Sequence, residues 1–164
     1  MAGRRLAENE VADLWTAWTP SEVARRMLGV VAPWYVAGGW ALELFTGDAA
    51  RQHADIEIGI PATRFDEVVA ALPGFEWDVA GDGTVWPFPE ESGAHHQTWL
   101  RDPATGRYLL DVFREPQVGD RWACRRDPSI TMAYPDLILH TRDGIPYAAP
   151  EVVLLFKAKH LRDP

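Results

Sequence analysis

The feature that most constrains the fold is the stretch VAGGWALELFTGDAARQHADIEIGI, residues 36–60. An apolar run ends in two glycines, a short amphipathic segment follows, and Asp55 and Glu57 then alternate with isoleucines. The glycines predict a tight turn from a strand at 34–37 into a helix, and the alternation predicts a strand at 55–60. The stretch therefore predicts a strand–helix–strand unit that carries two carboxylates.

Asp55 and Glu57 project from the same face of the predicted strand, because side chains alternate along a strand. Carboxylates this close raise each other's pKa unless a basic group or a divalent cation neutralises them. A cation bound through oxygen ligands is one explanation. The alternative is a strand with this face in water, where acidic side chains need no partner.

The diglycine Gly38-Gly39 gives the acidic pair a context. A strand followed by two glycines and a helix start leaves backbone N–H groups free, near the positive end of a helix dipole, with no side chain in the way. Such a turn can bind phosphate, although a lone Gly-Gly is more often only a turn. Next to two carboxylates, it predicts a site for a metal-bound triphosphate.

A third carboxylate, Asp111, lies inside the apolar segment Tyr-Leu-Leu-Asp-Val-Phe at 108–113. Strand alternation places Asp111 on the face of Leu109 and Phe113. An acid in such a strand needs a partner. The partner is either a metal or substrate group, or an Arg or Lys in a purely structural ion pair.

The rest of the chain predicts one domain, 1–164, of the α/β (α+β) class, with a mixed β-sheet flanked by helices. N-terminal helices are expected within 1–30, one over 8–18 and one that begins at Thr19-Pro20-Ser21-Glu22, then a catalytic core at 34–113 and a C-terminal helix within 150–164. The remaining expectations are a helix over 61–72, short strands at 75–79, 84–88, 96–101, 108–113 and 121–125, and an irregular stretch with one or two short strands at 128–147.

Composition excludes several kinds of function. Of the 164 residues, 47% are hydrophobic, the formal net charge is −8 and there is one cysteine. A net acidic chain is not expected to bind nucleic acid through a broad basic face, although it suits a cationic small molecule. One cysteine gives no disulfide framework, and no apolar run is long enough to span a membrane. A cytoplasmic protein with no membrane partner is predicted.

On these residues the chain resembles the nucleotidyltransferase superfamily, whose fold is typified by DNA polymerase beta. Gly38-Gly39-Trp-Ala-Leu followed by Arg51-Gln-His53-Ala-Asp55-Ile-Glu57 is most similar to the aminoglycoside 2''-adenylyltransferase and lincosamide nucleotidyltransferase group. Leu-Leu-Asp111 matches the group's third carboxylate. The similarity is close over 36–60 and looser over 34–160.

The resemblance implies a magnesium-dependent transfer of a nucleoside monophosphate from a nucleoside triphosphate, with ATP the expected donor, to a hydroxyl group. The acceptor would be a small molecule such as an aminoglycoside-like antibiotic, which implies a role in antibiotic resistance. Asp55 and Glu57 would bind Mg²⁺, and Asp111 would complete the metal site or take the proton of the attacking hydroxyl. Gly38 and Gly39 would approach the triphosphate.

Three further side chains are candidates for nucleotide binding. Arg51 and His53 precede the acidic strand in an Arg-x-His-x-Asp run that the resembling group also has. Lys157, on the C-terminal helix, would reach the triphosphate as a point charge. For each of the three, an ordinary surface or structural contact is the alternative.

Two departures from the group's pattern affect the expected function. Glu57 replaces the commoner Asp, and Glu43 replaces the Asp often found after Gly-Gly-Trp-Ala-Leu. The group's proteins also tend to continue beyond the final helix, so a homodimer could complete the cleft. Two other functions fit the same fold: a noncatalytic protein that binds a nucleotide or small ligand, and a toxin–antitoxin type of nucleotidyltransferase that modifies protein or RNA.

Overall fold

The structure, a computed structural model, describes residues 3–48 and 53–160, with side chains described as far as Lys157. Arg51 lies outside the described residues. Helices and strands alternate along much of the chain, as predicted. The helices of the described chain are α1 (Glu8–Val11), α2 (Pro20–Arg26), α3 (Gly38–Thr46), α4 (Phe65–Ala71), α5 (Tyr134–Leu137) and α6 (Pro150–His160), with 3₁₀ turns at Ala12–Leu14 and Ala62–Arg64.

The described strands form a mixed nine-stranded sheet and a smaller three-stranded sheet. In chain order they are β1 (Arg4–Arg5), β2 (Tyr35–Val36), β3 (Glu57–Pro61), β4 (Glu76–Gly81), β5 (Thr84–Pro87), β6 (Gln97–Arg101), β7 (Tyr108–Glu115), β8 (Gln117–Val118), β9 (Arg121–Cys124), β10 (Asp127–Ala133), β11 (Ile138–His140) and β12 (Pro146–Ala148). The large sheet has the order β1-β5-β4-β6-β7-β3-β2-β12-β11, and the small sheet has the order β10-β9-β8.

The centre of the large sheet is the pair β3 and β7, which run parallel. Ile58 pairs with Val112, and both side chains are fully buried. Burial of each aliphatic side chain of this kind stabilises the fold by about 1.5–3 kcal/mol relative to leaving it exposed. The isoleucines that alternate with the acids therefore hold the central strand in place, which is the role the sequence predicted for them.

Helix α2 begins as predicted, because the Thr19 hydroxyl accepts a hydrogen bond from the backbone N–H of Glu22 at 3.2 Å and Pro20 occupies the first turn. Helix α3 begins at Gly38 and ends at Gly47, whose φ of +74° is the left-handed conformation that glycine adopts without strain. The diglycine is thus the start of a helix, as its pattern predicts.

The predicted helix at 8–18 is shorter than expected. After α1 and one 3₁₀ turn the chain becomes extended, and the N–H groups of Thr16 and Trp18 donate to the carbonyls of Tyr108 and Leu109. The helical spacing of the apolar residues in 8–18 was misleading, because pairing with the start of β7 satisfies the backbone of 15–18 better than a further turn of helix would.

Three other boundaries differ from the predictions. Strand β3 begins at Glu57, so Asp55 precedes it, and the strand continues through Pro61 where a helix was expected to begin. The stretch 128–147 contains β10, α5, β11 and the start of β12, more regular structure than predicted. Pairing with distant strands decides these segments, and local propensity does not report such pairing. No helix in the described ranges is long and apolar enough to cross a membrane.

Candidate active site

Three carboxylates meet where β3 and β7 run side by side. Glu57 and Asp111 are register partners on these strands, and neighbouring strands lie about 4.8 Å apart. Asp55 precedes Glu57 by two residues and lines the same cleft as Glu57. The structure therefore brings Asp111 close to two acids that lie more than fifty positions before it in the sequence.

The pKa values of the three carboxyl groups are all raised at this site. Burial, and after it the charge of Asp55, raises the pKa of Glu57 to about 7. Burial raises the pKa of Asp111 well above its ordinary value, and the charges of Glu57 and Asp55 add to this. Burial also raises the pKa of Asp55. Without a bound cation, the site resists holding three negative charges at once.

Asp111 is the most deeply placed of the three. It is 3% exposed, its backbone N–H donates to the carbonyl of Ile56 at 2.9 Å, and its Oδ1 has no hydrogen-bond partner among the described residues. No structural ion pair to an Arg or Lys is formed in the described chain, which was the alternative role for this acid. A buried carboxylate oxygen without a partner is costly unless a ligand, a proton or a metal satisfies it.

The diglycine lets backbone and side chains approach closely. Gly38 has φ +63°, and a Cβ at this position would lie 2.5 Å from Oε2 of Glu57. A Cβ on Gly39 would lie 3.0 Å from Cε1 of His53. No side chain caps the N-terminus of α3, so its first N–H groups stay available near the acids. The two glycines thus stand where the side chains of Glu57 and His53 pack against the start of α3.

His53 lies against the first turn of α3 and lines the cleft. Its ring is 4.5 Å from that of Trp40, and its Nε2 is 2.9 Å from Oε1 of Glu43. This Nε2–Oε1 contact lacks the alignment of a hydrogen bond. Glu43, the departure from the group's pattern, therefore positions His53 beside Asp55.

A basic flank faces the acids across the cleft. Lys157 of α6 lines the cleft, and its charge lowers the pKa of Glu57. Arg125 and Arg126, in the turn between β9 and β10, line it as well. Neither arginine was predicted as a site residue, since only an Arg-Arg dipeptide after an apolar strand marks them.

The cleft between the acidic and basic sides has a volume of about 410 Å³, which suits a small ligand. The residues that line it come from β2, α3, β3 and the segment before it, β7, the β9–β10 turn, β12 and α6. They are Tyr35, Ala37, Gly38, Gly39, His53, Asp55, Glu57, Phe113, Glu115, Arg125, Arg126, Ala148, Val152, Val153, Phe156 and Lys157. Asp111, the register partner of Glu57, is not among the residues that line the cleft.

The chemistry of the donors suits a hard divalent cation. Asp55 and Glu57 could hold Mg²⁺ through carboxylate oxygens, and the unpartnered Oδ1 of Asp111 offers a further oxygen close to them. Over 3–48 and 53–160, no three or more His, Cys, Asp or Glu side chains are already placed as a metal-binding group. A bound cation would relieve the repulsion that raises the three pKa values.

The fold is that of the nucleotidyltransferases, as comparison with solved structures shows. One similar structure is the crystal structure of the lincosamide antibiotic adenylyltransferase LnuA with lincomycin bound. The sequences are 21% identical, the alignment covers 93% of this chain and 87% of the LnuA chain, and the TM-score is 0.53. Another is the solution structure of the antibiotic-resistance factor ANT(2'')-Ia, with 13% sequence identity, 88% of this chain and 76% of that chain covered, and a TM-score of 0.53.

Residues 21–94 match the family model of aminoglycoside-2''-adenylyltransferases. The matched range includes the diglycine, Asp55 and Glu57. No curated protein sequence matches the chain significantly. These findings confirm the resemblance predicted from the sequence, the fold class and the enzyme class, a nucleotidyltransferase. The assignment of individual site residues and the division of the chain into a 34–113 core and flanking helices remain predictions.

Proposed function

We propose that the protein transfers a nucleoside monophosphate from a nucleoside triphosphate to a hydroxyl group of a small antibiotic-like molecule, in a magnesium-dependent reaction. The observation that carries the proposal is the register of Glu57 and Asp111 on adjacent parallel strands, with Asp55 beside them. The glycine-lined helix start and the basic flank complete the surroundings that a triphosphate requires.

Each group in the cleft has a proposed task. Asp55 and Glu57 hold Mg²⁺, which when bound offsets the charge of the phosphates. Gly38 and Gly39 leave the N-terminal N–H groups of α3 open to phosphate oxygens. His53, fixed by Glu43, and Lys157 contact the nucleotide from either side. Arg51 remains a proposed nucleotide contact from the sequence alone.

The transfer balances as a displacement at phosphorus. The acceptor hydroxyl oxygen forms a bond to the α-phosphorus, the bond from that phosphorus to the bridging oxygen breaks, and pyrophosphate leaves. The hydroxyl proton goes to a carboxylate. Asp111 takes this proton or supplies a further metal ligand.

The acceptor is proposed to be a cationic antibiotic in the cytoplasm. LnuA and ANT(2'')-Ia are named for antibiotic adenylyltransfer and antibiotic resistance. The net charge of −8 attracts an amine-bearing acceptor and disfavours nucleic acid as substrate. A homodimer that completes the cleft is also proposed, and sedimentation of the purified protein would test it.

Incubation with α-labelled nucleoside triphosphates, Mg²⁺ and a panel of aminoglycosides and lincosamides tests this function. We expect a labelled antibiotic and released pyrophosphate with wild type and neither with Asp111→Asn. The noncatalytic alternative predicts nucleotide binding that Asp111→Asn leaves unchanged, with no label transferred by either protein. Comparison of Mg²⁺ affinity in the two proteins separates the two tasks of Asp111, because only a metal ligand changes that affinity strongly.

A further inference from the structure

Arg125 is held more firmly than a surface arginine. It follows β9 at the turn into β10, and its Nη1 donates to Oε1 of Glu115 at 2.7 Å. The side chains of Arg125 and Glu115 are 20% and 4% exposed. An ion pair this shielded is weakened less by water and salt than an exposed one.

Two aromatic rings hold the same guanidinium. Its Cζ lies 5.1 Å from the ring centroid of Phe113 and 4.4 Å from that of Phe156. Both distances are within the range of a cation–π contact. Phe113 and Glu115 share one face of β7 with Asp111, by strand alternation. The strand that carries the third acid of the site therefore also carries two of the groups that fix Arg125.

The guanidinium of Arg125 has N–H groups that no described residue uses. The side chain lines the cleft, and no described residue accepts a hydrogen bond from its Nε or Nη2. A guanidinium presents five N–H groups in a planar fork that matches the oxygens of a phosphate group. The charge of Arg125 also lowers the pKa of Glu57, so it acts on the space above the acids.

We propose that Arg125 is the residue of this chain that binds the pyrophosphate part of the nucleotide, with Glu115 as its positioning residue. The inference rests on the proposed function, since it assigns the terminal phosphates to this end of the cleft. Glu115 occupies one edge of the guanidinium and leaves the remaining N–H groups for phosphate oxygens. Phe113 and Phe156 prevent the guanidinium from rotating away.

A purely structural pair is the competing explanation. Glu115 is 3% exposed, and burial raises its pKa even though Arg125 opposes the shift. Replacing Arg125 alone would leave this carboxylate unpaired and could unfold the protein. The double variant Arg125→Met with Glu115→Gln avoids this, because it removes one positive and one negative charge and leaves the net charge of the cleft unchanged.

The experiment measures binding of inorganic pyrophosphate by calorimetry, with and without Mg²⁺, and thermal unfolding of each protein. We expect the double variant to remain folded and to bind pyrophosphate about tenfold more weakly or worse, the factor that loss of hydrogen bonds to a charged group produces. Arg121→Met is the matched control, because Arg121 is exposed on β9, bonds Thr131 and lies outside the cleft. Its pyrophosphate affinity is expected to equal that of wild type.

Two outcomes would overturn the inference: a folded double variant with wild-type pyrophosphate affinity, or wild-type protein that binds no pyrophosphate in the millimolar range. Failure of the proposed function looks different. There, no acceptor is labelled, yet pyrophosphate binding still depends on Arg125. Displacement of pyrophosphate by a nucleoside triphosphate, but not by a nucleoside, shows that the bound anion and the nucleotide share this position.

Discussion

Glu57 and Asp111 lie directly opposite each other on two parallel strands, so two carboxylates share the centre of the sheet. Burial raises the pKa of both groups, and nearby carboxylates add to the shift: Asp55 for Glu57, and Glu57 with Asp55 for Asp111. An arrangement that is unfavourable for folding but suited to a cation is typical of a functional site. The predictions below follow from this pair and from the groups around it.

Glu57→Gln is expected to stabilise the metal-free protein at neutral and higher pH. The pKa of Glu57 is about 7 in the folded protein and 4.5 ordinarily, so between these values the folded state binds more protons than the unfolded chain. The wild-type protein is therefore most stable, as far as Glu57 is concerned, at low pH, where the carboxyl group is protonated. This stability falls as the pH rises from 4.5 and is lost above about 7. We expect a gain of about 1–3 kcal/mol near pH 8 and almost none near pH 4.5, measured by urea unfolding.

With added Mg²⁺ the wild-type protein should become the more stable of the two. The cation neutralises the wild-type carboxylates, whereas Glu57→Gln has lost one of the carboxylates that bind it. Glu76→Gln serves as control, since Glu76 pairs with Arg101 away from the cleft. Equal pH dependence of unfolding in wild type and Glu57→Gln would contradict the repulsion on which the site depends.

Gly38→Ala should abolish transfer, whereas Gly47→Ala should not. Both glycines have positive φ, so both alanines cost about 1–2 kcal/mol of stability. Only at Gly38 would the new Cβ lie 2.5 Å from Oε2 of Glu57, whereas nothing lies within 4 Å at Gly47. Unfolding and transfer assays on the two variants separate backbone strain from displacement of Glu57. Similar transfer by both would show that Glu57 can move without loss.

Asp111→Asn should lower the transfer rate at least about 100-fold while the protein stays folded, because the amide has nearly the same shape but cannot take a proton or bind a cation as a carboxylate does. Single-turnover kinetics and thermal unfolding measure the two effects. Because burial disfavours the ionised form of Asp111, an uncharged amide at this position should leave stability equal or higher.

Asp78→Asn is the matched control for that substitution. Asp78 is also buried, but it accepts from the Tyr108 hydroxyl at 2.7 Å and from Arg101 Nε at 3.0 Å, away from the cleft. We expect about 1–3 kcal/mol lower stability and normal transfer. If Asp78→Asn lost as much activity as Asp111→Asn, the acid on β7 would have no special role.

Lys157→Met should raise KM for the nucleotide about fivefold with little change in kcat, because an exposed lysine binds phosphate as a screened point charge. The difference from wild type should shrink as salt is added. Arg142→Met, an exposed cation outside the cleft, should show no such change. A fall in kcat with unchanged KM would place Lys157 at the reacting phosphate instead.

Local patterns were sufficient for part of this molecule. The diglycine predicted the start of α3. The structure shows why glycine is needed there, since a Cβ on Gly38 would collide with Glu57. The alternation of acids with isoleucines predicted β3 and the face on which Glu57 lies, although Asp55 precedes the strand. The prediction of a helix over 8–18 was wrong in its second half. There the backbone pairs with β7, which is far away in sequence and leaves no local signal.

By itself the sequence determined the local strand–turn–helix pattern and the acids that it carries, because the spacing of Asp55, Glu57 and the glycines is a local property of the chain. Only the tertiary structure decided which basic groups face those acids. The β9–β10 turn and α6 bring Arg125 and Lys157 to the cleft. Non-local strand pairing and packing fix that placement, and no periodicity within either segment encodes it.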